Sequence, residues 1–220
     1  EVFYSYAKGM GGAGDEETNA SAVDASGSVY SAGWFNGTSD FDPGASTYNL
    51  TSVTWDAFIS KLDSSGNFVW AKRIAKGNSI SVSIDSSGNV HLVYARAGKL
   101  WYMKYDSAGR TWSPEQDTTI VQNASYRNDP DVVIDSSGRP HVIGGQGNGS
   151  GDYAYWNGSA WVRSDNVANR DTELAIDSDD TVYIVDRGGS SGGYLGLIKK
   201  LSGAGSFSIC PDPDISNGLP

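Results

Sequence analysis

The side chains in this sequence that could do chemistry are few, and most of them repeat. His91 and His141 are the only two histidines. Imidazole changes charge near neutral pH, so a pair of them could divide acid and base roles or share a metal ion. Yet they fall at the same place in two copies of a repeated segment, where the other copies carry Tyr30 and Tyr183. A position that takes either His or Tyr is expected to be a packing site with a polar edge, and ligand contact is the second reading of His91 and His141. The carboxylates follow the same logic. Asp24, Asp85, Asp135 and Asp177 each open a short polar turn, where an aspartate bonds its own backbone two residues on. Backbone capping is therefore expected before catalysis. A glycosidase needs two carboxylates facing each other across the scissile bond. No unrepeated pair stands out, Glu115 and Glu173 qualify by type alone, and no catalytic residue is assigned. Nor does the spacing of Arg96, Arg110, Arg127, Arg139, Arg163, Arg170 and Arg187 converge three of them into an anion grip.

The aromatic residues offer a different chemistry. Seven tryptophans are present, and a sugar face stacks well on an exposed ring. Adjacent pairs such as Trp101-Tyr102 and Tyr155-Trp156 would point to opposite faces of a strand, so most of these rings are expected in the core. Trp55, at the end of a long insertion, is the best candidate for an exposed platform, followed by Trp34. In the same insertion Asp40-x-Asp42 presents hard oxygen ligands, making these two residues candidate metal ligands, with Ca2+ the candidate ion. The next position that an EF-hand loop would use is Gly44, and Thr51 stands where its closing glutamate would be. A turn burying Phe41 is the preferred reading, and no cofactor is expected.

Composition narrows the partners. The net charge of −10 would repel a phosphate backbone, which argues against nucleic acid. No apolar run is long enough to span a membrane as a helix. Cys210 is the single cysteine, so no disulfide can form within the chain. Glu1 reads as the start of a processed chain or of a fragment. Glycine-rich runs at 9–14, 144–151 and 188–193 lack the Lys-Ser/Thr of a phosphate loop and read as connections.

The elements that must position these residues are written as a repeat. Val23-Asp24-Ala25-Ser26-Gly27, Ile84-Asp85-Ser86-Ser87-Gly88, Ile134-Asp135-Ser136-Ser137-Gly138 and Ile176-Asp177-Ser178-Asp179-Asp180 recur, with the aspartates 61, 50 and 42 positions apart. Each copy predicts an apolar strand ending at the aspartate, a tight turn and a returning strand. A third strand follows (Asp56–Leu62 in the first copy), then a fourth (Asn67–Lys72). Such sheets are unstable alone and bury both faces when packed around an axis. The expected fold is all-β: a β-propeller of four four-stranded antiparallel blades over about 19–74, 79–118, 129–166 and 171–210. Residues 1–210 would form one domain. The first blade carries an insertion, Asn36–Thr54. Tyr4-Ser5-Tyr6-Ala7-Lys8 reads like the fourth strand Phe68-Val69-Trp70-Ala71-Lys72, so residues 1–8 are expected to latch the ring, or to add to a neighbouring molecule's sheet. Residues 211–220 read as an irregular tail or a linker.

Residues 11–74 resemble the bacterial SBBP β-propeller repeat. The resemblance is carried by Gly-Gly-Ala-Gly-Asp at 11–15, Ala-Val-Asp-Ala-Ser-Gly at 22–27, Asp-Phe-Asp-Pro-Gly at 40–44 and the run from Asp56 to Lys72. The other units resemble looser BNR or sialidase-like repeats; Asp106-Ser107-Ala108-Gly109-Arg110-Thr111-Trp112 is similar to an Asp-box with one extra residue before the glycine. The resemblance implies a secreted or cell-surface bacterial protein and no single activity. The expected role is a binding or scaffold module presenting loops to a glycan or a surface protein. The alternatives are a propeller-type glycoside hydrolase or polysaccharide lyase centred on His91 and His141, and a surface or filament subunit joined through Val2–Lys8.

Overall fold

Four short Asp-turns organise the chain into four sheets. The computed structural model describes residues 7–74, 77, 79–121, 130–146, 150–168, 172–188, 194–200 and 207–209. Strands β1 (Gly11–Gly12), β2 (Glu16–Val23), β3 (Val29–Asp40), β4 (Asn49–Leu62) and β5 (Phe68–Ile74) form the first sheet. The second holds β6 (Ile80–Ile84), β7 (Val90–Arg96), β8 (Lys99–Asp106), β9 (Thr111–Trp112) and β10 (Gln116–Val121). The third is β11 (Asp131–Ile134), β12 (Pro140–Gln146), β13 (Ser150–Trp156) and β14 (Trp161–Ala168). The fourth is β15 (Glu173–Ile176), β16 (Val182–Gly188), β17 (Tyr194–Lys200) and β18 (Phe207–Ile209). All these pairings are antiparallel: β1 and β2 both pair with β3 in the first sheet, β9 and β10 both pair with β8 in the second, and the strands of the third and fourth sheets pair in chain order. Every regular element among the described residues is a strand, and no helix there is long and apolar enough to cross a membrane.

The turn chemistry explains why the strands reverse where they do. In the turn before β7, Asp85 Oδ1 accepts the N–H groups of Ser87 and Asn89, both at 2.9 Å. Gly88 then takes φ 77°, a conformation that a Cβ disfavours. The turns at Asp24, Asp63 and Asp135 are built alike. In the fourth sheet Asp180 stands in the glycine's place at φ 59°. Its carboxylate accepts the N–H and the hydroxyl of Ser136 in the third sheet's turn, a cross-sheet tie that glycine could not make.

The sheets stack face to face, with β2, β6, β11 and β15 each contacting the next along the inner side. Between the first and second sheets lie Tyr30, Ile59, Ile80, Leu92 and Tyr94. Between the second and third lie Val93, Leu100, Ile120, Val132 and Val142. Ile143, Tyr153, Leu174 and Ile184 fill the space between the third and fourth. Three successive interfaces of this kind, each sealed by side chains from alternating strand positions, make the fold a β-propeller.

Two elements depart from the sequence expectation. The insertion Asn36–Thr54 is no separate loop but a lengthened hairpin, since β3 and β4 continue pairing from Gly37↔Ser52 to Asp40↔Asn49 beyond a bulge. Its tip folds back and places Phe41 against Phe35 and Phe58 on the far face of the first sheet, with Met10 packed on the same cluster. The second sheet's fourth strand is broken: β9 and β10 both pair with β8, so that sheet runs to Val121, past the expected limit at 118. Most of the expected latch strand, Val2–Lys8, falls outside the described residues. Ala7 and Lys8 lie in no strand.

Candidate functional site

The repeated aspartates have one carboxylate oxygen turned to the backbone and the other turned to the strand that follows. Tyr30 donates to Asp24 Oδ2 at 3.1 Å, and Tyr183 donates to Asp177 Oδ2 at 2.8 Å. His91 Nε2 lies 3.1 Å from Asp85 Oδ2, and His141 Nε2 lies 3.4 Å from Asp135 Oδ2. Tyrosine and histidine thus fill one role, an N–H or O–H donor to the turn's aspartate. Each histidine also meets a tyrosine hydroxyl through Nδ1, His91 with Tyr102 at 2.8 Å and His141 with Tyr153. Nε2–H donating to Asp85 and the Tyr102 hydroxyl donating to Nδ1 is the neutral tautomer that satisfies both bonds.

These Asp–His–Tyr chains resemble acid–base relays in composition but not in setting. His91 is fully buried and His141 and Tyr153 are buried as well. Burial lowers the pKa of His91 against the opposing pull of Asp85. Burial likewise pushes the Tyr102 hydroxyl well above its ordinary value, away from a value at which it would act as a base near neutral pH. The geometry supports interior polar ties at both histidines. Glu115 receives a two-pronged contact from Arg96 and the Tyr94 hydroxyl, and Glu173 is exposed on β15. Arg96, Arg139 and Arg163 are held by Glu115, Asp135 and Asp152 respectively, so these described arginines do not converge.

Asp40 and Asp42 are also turned to their own backbone. Asp40 Oδ1 accepts the N–H groups of Asp42 and Tyr48, both at 2.9 Å, and Asp42 Oδ1 accepts that of Gly44 at 2.8 Å. The bonds to Tyr48 and Asp42 hold the Asp40 carboxyl below its ordinary range. Among the described residues no group of three or more His, Cys, Asp or Glu side chains is placed to hold a metal ion. The Asp-box-like turn joins β8 to β9, with Asp106 Oδ1 accepting the Ala108 N–H at 3.0 Å.

Trp34 and Trp55, distant in sequence, meet in space. Their rings are 4.7 Å apart at 84°, an edge-to-face pair. Trp55 sits in the bulge where β4 carries extra residues opposite Asn36, which turns its ring outward. It remains 43% exposed, beside Val53 at 89%. Trp34 props it from β3, so the outer ring is held in one orientation.

A second aromatic cluster was not singled out from the sequence. Trp70 on β5, Trp112 on β9 and Tyr105 on β8 pack together, with centroids 5.1 to 6.0 Å apart. They line a groove of about 510 Å3 at the outer edge of β5, closed on its other side by Tyr48 and Leu50 of the long hairpin. Its sequence signal was present: Trp70, Trp112 and Trp161 all fall on the fourth strand of their units.

No protein-family model and no curated protein matches the chain, so the SBBP resemblance rests on the quoted residues alone. Solved structures are similar in fold. A variant of NanB sialidase from Streptococcus pneumoniae superposes with TM-score 0.53 at 15% identity, covering 74% of this chain and 29% of the sialidase. A polysaccharide lyase, an ulvan lyase bound to -[GlcA(1-4)Rha3S]-, gives TM-score 0.53 at 12% identity, covering 87% and 54% respectively. The six-bladed β-propeller lectin of Aleuria aurantia gives 0.48 at 15% identity, covering 88% and 77%. The chain therefore spans under a third of the sialidase and about half of the lyase.

Proposed function

We propose that this chain is a carbohydrate-binding propeller module that works outside the cell and holds a saccharide against the Trp55 ring. The observation that carries this reading is the Trp34–Trp55 pair: an outward-facing indole held edge-on by a second one. The Trp34 contact leaves much of the indole open to water, and a sugar's C–H face would bury it. Fold likeness to a sialidase and to a polysaccharide lyase supports carbohydrate as the ligand class. The buried state of His91 and His141 argues against turnover at those residues and leaves the exposed aromatic surface as the place for a ligand.

A glycan array read with the intact chain tests this, followed by titration of the best neutral hit. Trp55→Ala should weaken that titration by about tenfold, equivalent to about 1.4 kcal/mol, without lowering the unfolding midpoint appreciably. An array with no hits, or equal affinity of the variant, removes the proposal.

A further inference from the structure

We propose that the groove at the outer edge of β5 is a separate binding site for an anionic saccharide, one bearing a carboxylate or a sulfate ester. Neither Trp34 nor Trp55 lines this groove, so the inference stands apart from the role given to that pair.

The groove combines three properties. Its floor is aromatic: Trp70 and Trp112 meet at 86° and Tyr105 tilts against both, so ring faces and edges are fixed by packing between the first and second sheets. Its rim is cationic in a protein of net charge −10. The Lys72 ammonium lies 5.6 Å from the centre of the Trp112 ring, and no described carboxylate pairs with it. On the same two sheets Lys61, Lys99 and Lys104 each have an aspartate within 4 Å. Arg73 adds a half-exposed guanidinium, one nitrogen of which binds Asp56 at 2.8 Å. Its shape suits a small ligand, since about 510 Å3 falls in the range of ligand sites.

The chemistry follows from these together. A cation resting on an indole is already partly stripped of water, so an anion reaching it forms a stronger pair than at open surface. The indole and phenol faces beside it suit the apolar face of a pyranose, and Tyr48, 41% exposed, offers a hydroxyl from the opposite wall. A neutral sugar would leave Lys72 unanswered. An acidic peptide would supply the charge but no ring to stack.

Titration calorimetry of the intact chain with four probes tests the site: oligogalacturonate, its fully methyl-esterified form, an oligosaccharide of κ-carrageenan, and oligoglutamate. Binding of oligogalacturonate or the carrageenan fragment, at least about fivefold tighter than the methyl ester and the peptide, is expected, and it should weaken as salt rises. Which acidic saccharide binds tighter identifies the anionic group. Lys72→Met should cut that affinity about tenfold, Lys72→Arg should restore most of it, and Lys99→Met, which removes the same charge elsewhere, should leave it within about twofold. Equal binding of acid and methyl ester, preference for oligoglutamate, or an unchanged Lys72→Met variant overturns the proposal. Unfolding curves of each variant separate lost binding from lost fold.

Discussion

A single aspartate does the same work in each repeated turn, and its second oxygen decides what the next strand carries. Asp85 shows the balance of effects. Burial alone would raise its pKa, but hydrogen bonds from Asn89 and His91 outweigh this and hold it down to about 2. Its folded value lies below the ordinary value of about 3.9, so it contributes stability above that pH and loses it as pH falls towards 2. His91 has a lowered value too, because burial disfavours the imidazolium. Its contribution is complete above about pH 6.5 and is lost as pH falls below that. The thermal midpoint should therefore hold steady from pH 8 to 7 and decline in two stages, beginning near pH 6.5 and steepening below about pH 4. NMR titration should put the His91 midpoint below about 6.5; a midpoint above it contradicts the buried neutral ring. Asp85→Ala should cost about 2–3 kcal/mol in chemical denaturation, since it strands two backbone donors and the His91 N–H. Much of this was legible in the sequence, because the turn and the His-or-Tyr position lie within seven residues of each other. The Tyr102 and Tyr153 hydroxyls were not, because they arrive from the third strand diagonally, and the pairings His91↔Lys104 and His141↔Tyr155 are set by register.

At the scale of the element, the β3–β4 hairpin shapes both aromatic sites. Its bulge turns Trp55 outward and its tip brings Tyr48 to the groove. The extension beyond the bulge is polar, with the Thr38 and Thr51 hydroxyls bonded across it at 2.9 Å. That polarity is why the sequence suggests an insertion rather than longer strands: Ser39 and Ser52 take the buried positions, so no apolar alternation marks the ribbon. The burial of Phe41 was readable from its place before Pro43-Gly44, whereas its contacts with Phe35 and Phe58 required the hairpin to fold back. One close approach fixes the hairpin against β2. A Cβ at Gly33 would stand 1.9 Å from the Glu17 carbonyl oxygen and 2.8 Å from Thr18 Cα, both backbone atoms. Gly33→Ala should therefore destabilise by about 2–3 kcal/mol, measured by urea unfolding. Gly9→Ala, where nothing lies within 4 Å, should stay within about 0.5 kcal/mol. If the two variants unfold alike, β2 and β3 are not held at this distance.

Across the whole molecule, the sheets are joined by more than apolar packing. Asp131, on the third sheet's inner strand, is half-buried, and the water it loses to its neighbours raises its carboxyl above the usual range despite three hydrogen bonds. Ser81 of β6 donates to Oδ1 at 2.9 Å, and the Leu174 N–H of β15 donates to Oδ2 at 2.7 Å. One carboxylate thus spans the second, third and fourth sheets. Nothing in the sequence marks it, for Asp131 opens a strand rather than a turn, and its partners lie 50 and 43 residues away. The repeat made the blades legible because each is local. The groove beside Lys72 and the tie at Asp131 were not, because both are properties of neighbouring blades meeting. Removing this side chain should separate the two kinds of force. Asp131→Ala would leave the apolar clusters between sheets intact while stranding the Ser81 hydroxyl and the Leu174 N–H in the interior. A loss of about 3 kcal/mol is expected. Hydrogen exchange should then quicken at Leu174 more than at Leu92, which sits in the interface between the first two sheets. The raised pKa also reverses the sign seen at Asp85: the ion is costly in the folded state, so this residue's contribution improves as pH falls. Asp131→Asn should accordingly cost less than Asp131→Ala at pH 7. Unchanged protection at Leu174 in Asp131→Ala would mean that packing alone holds the fourth sheet to the third.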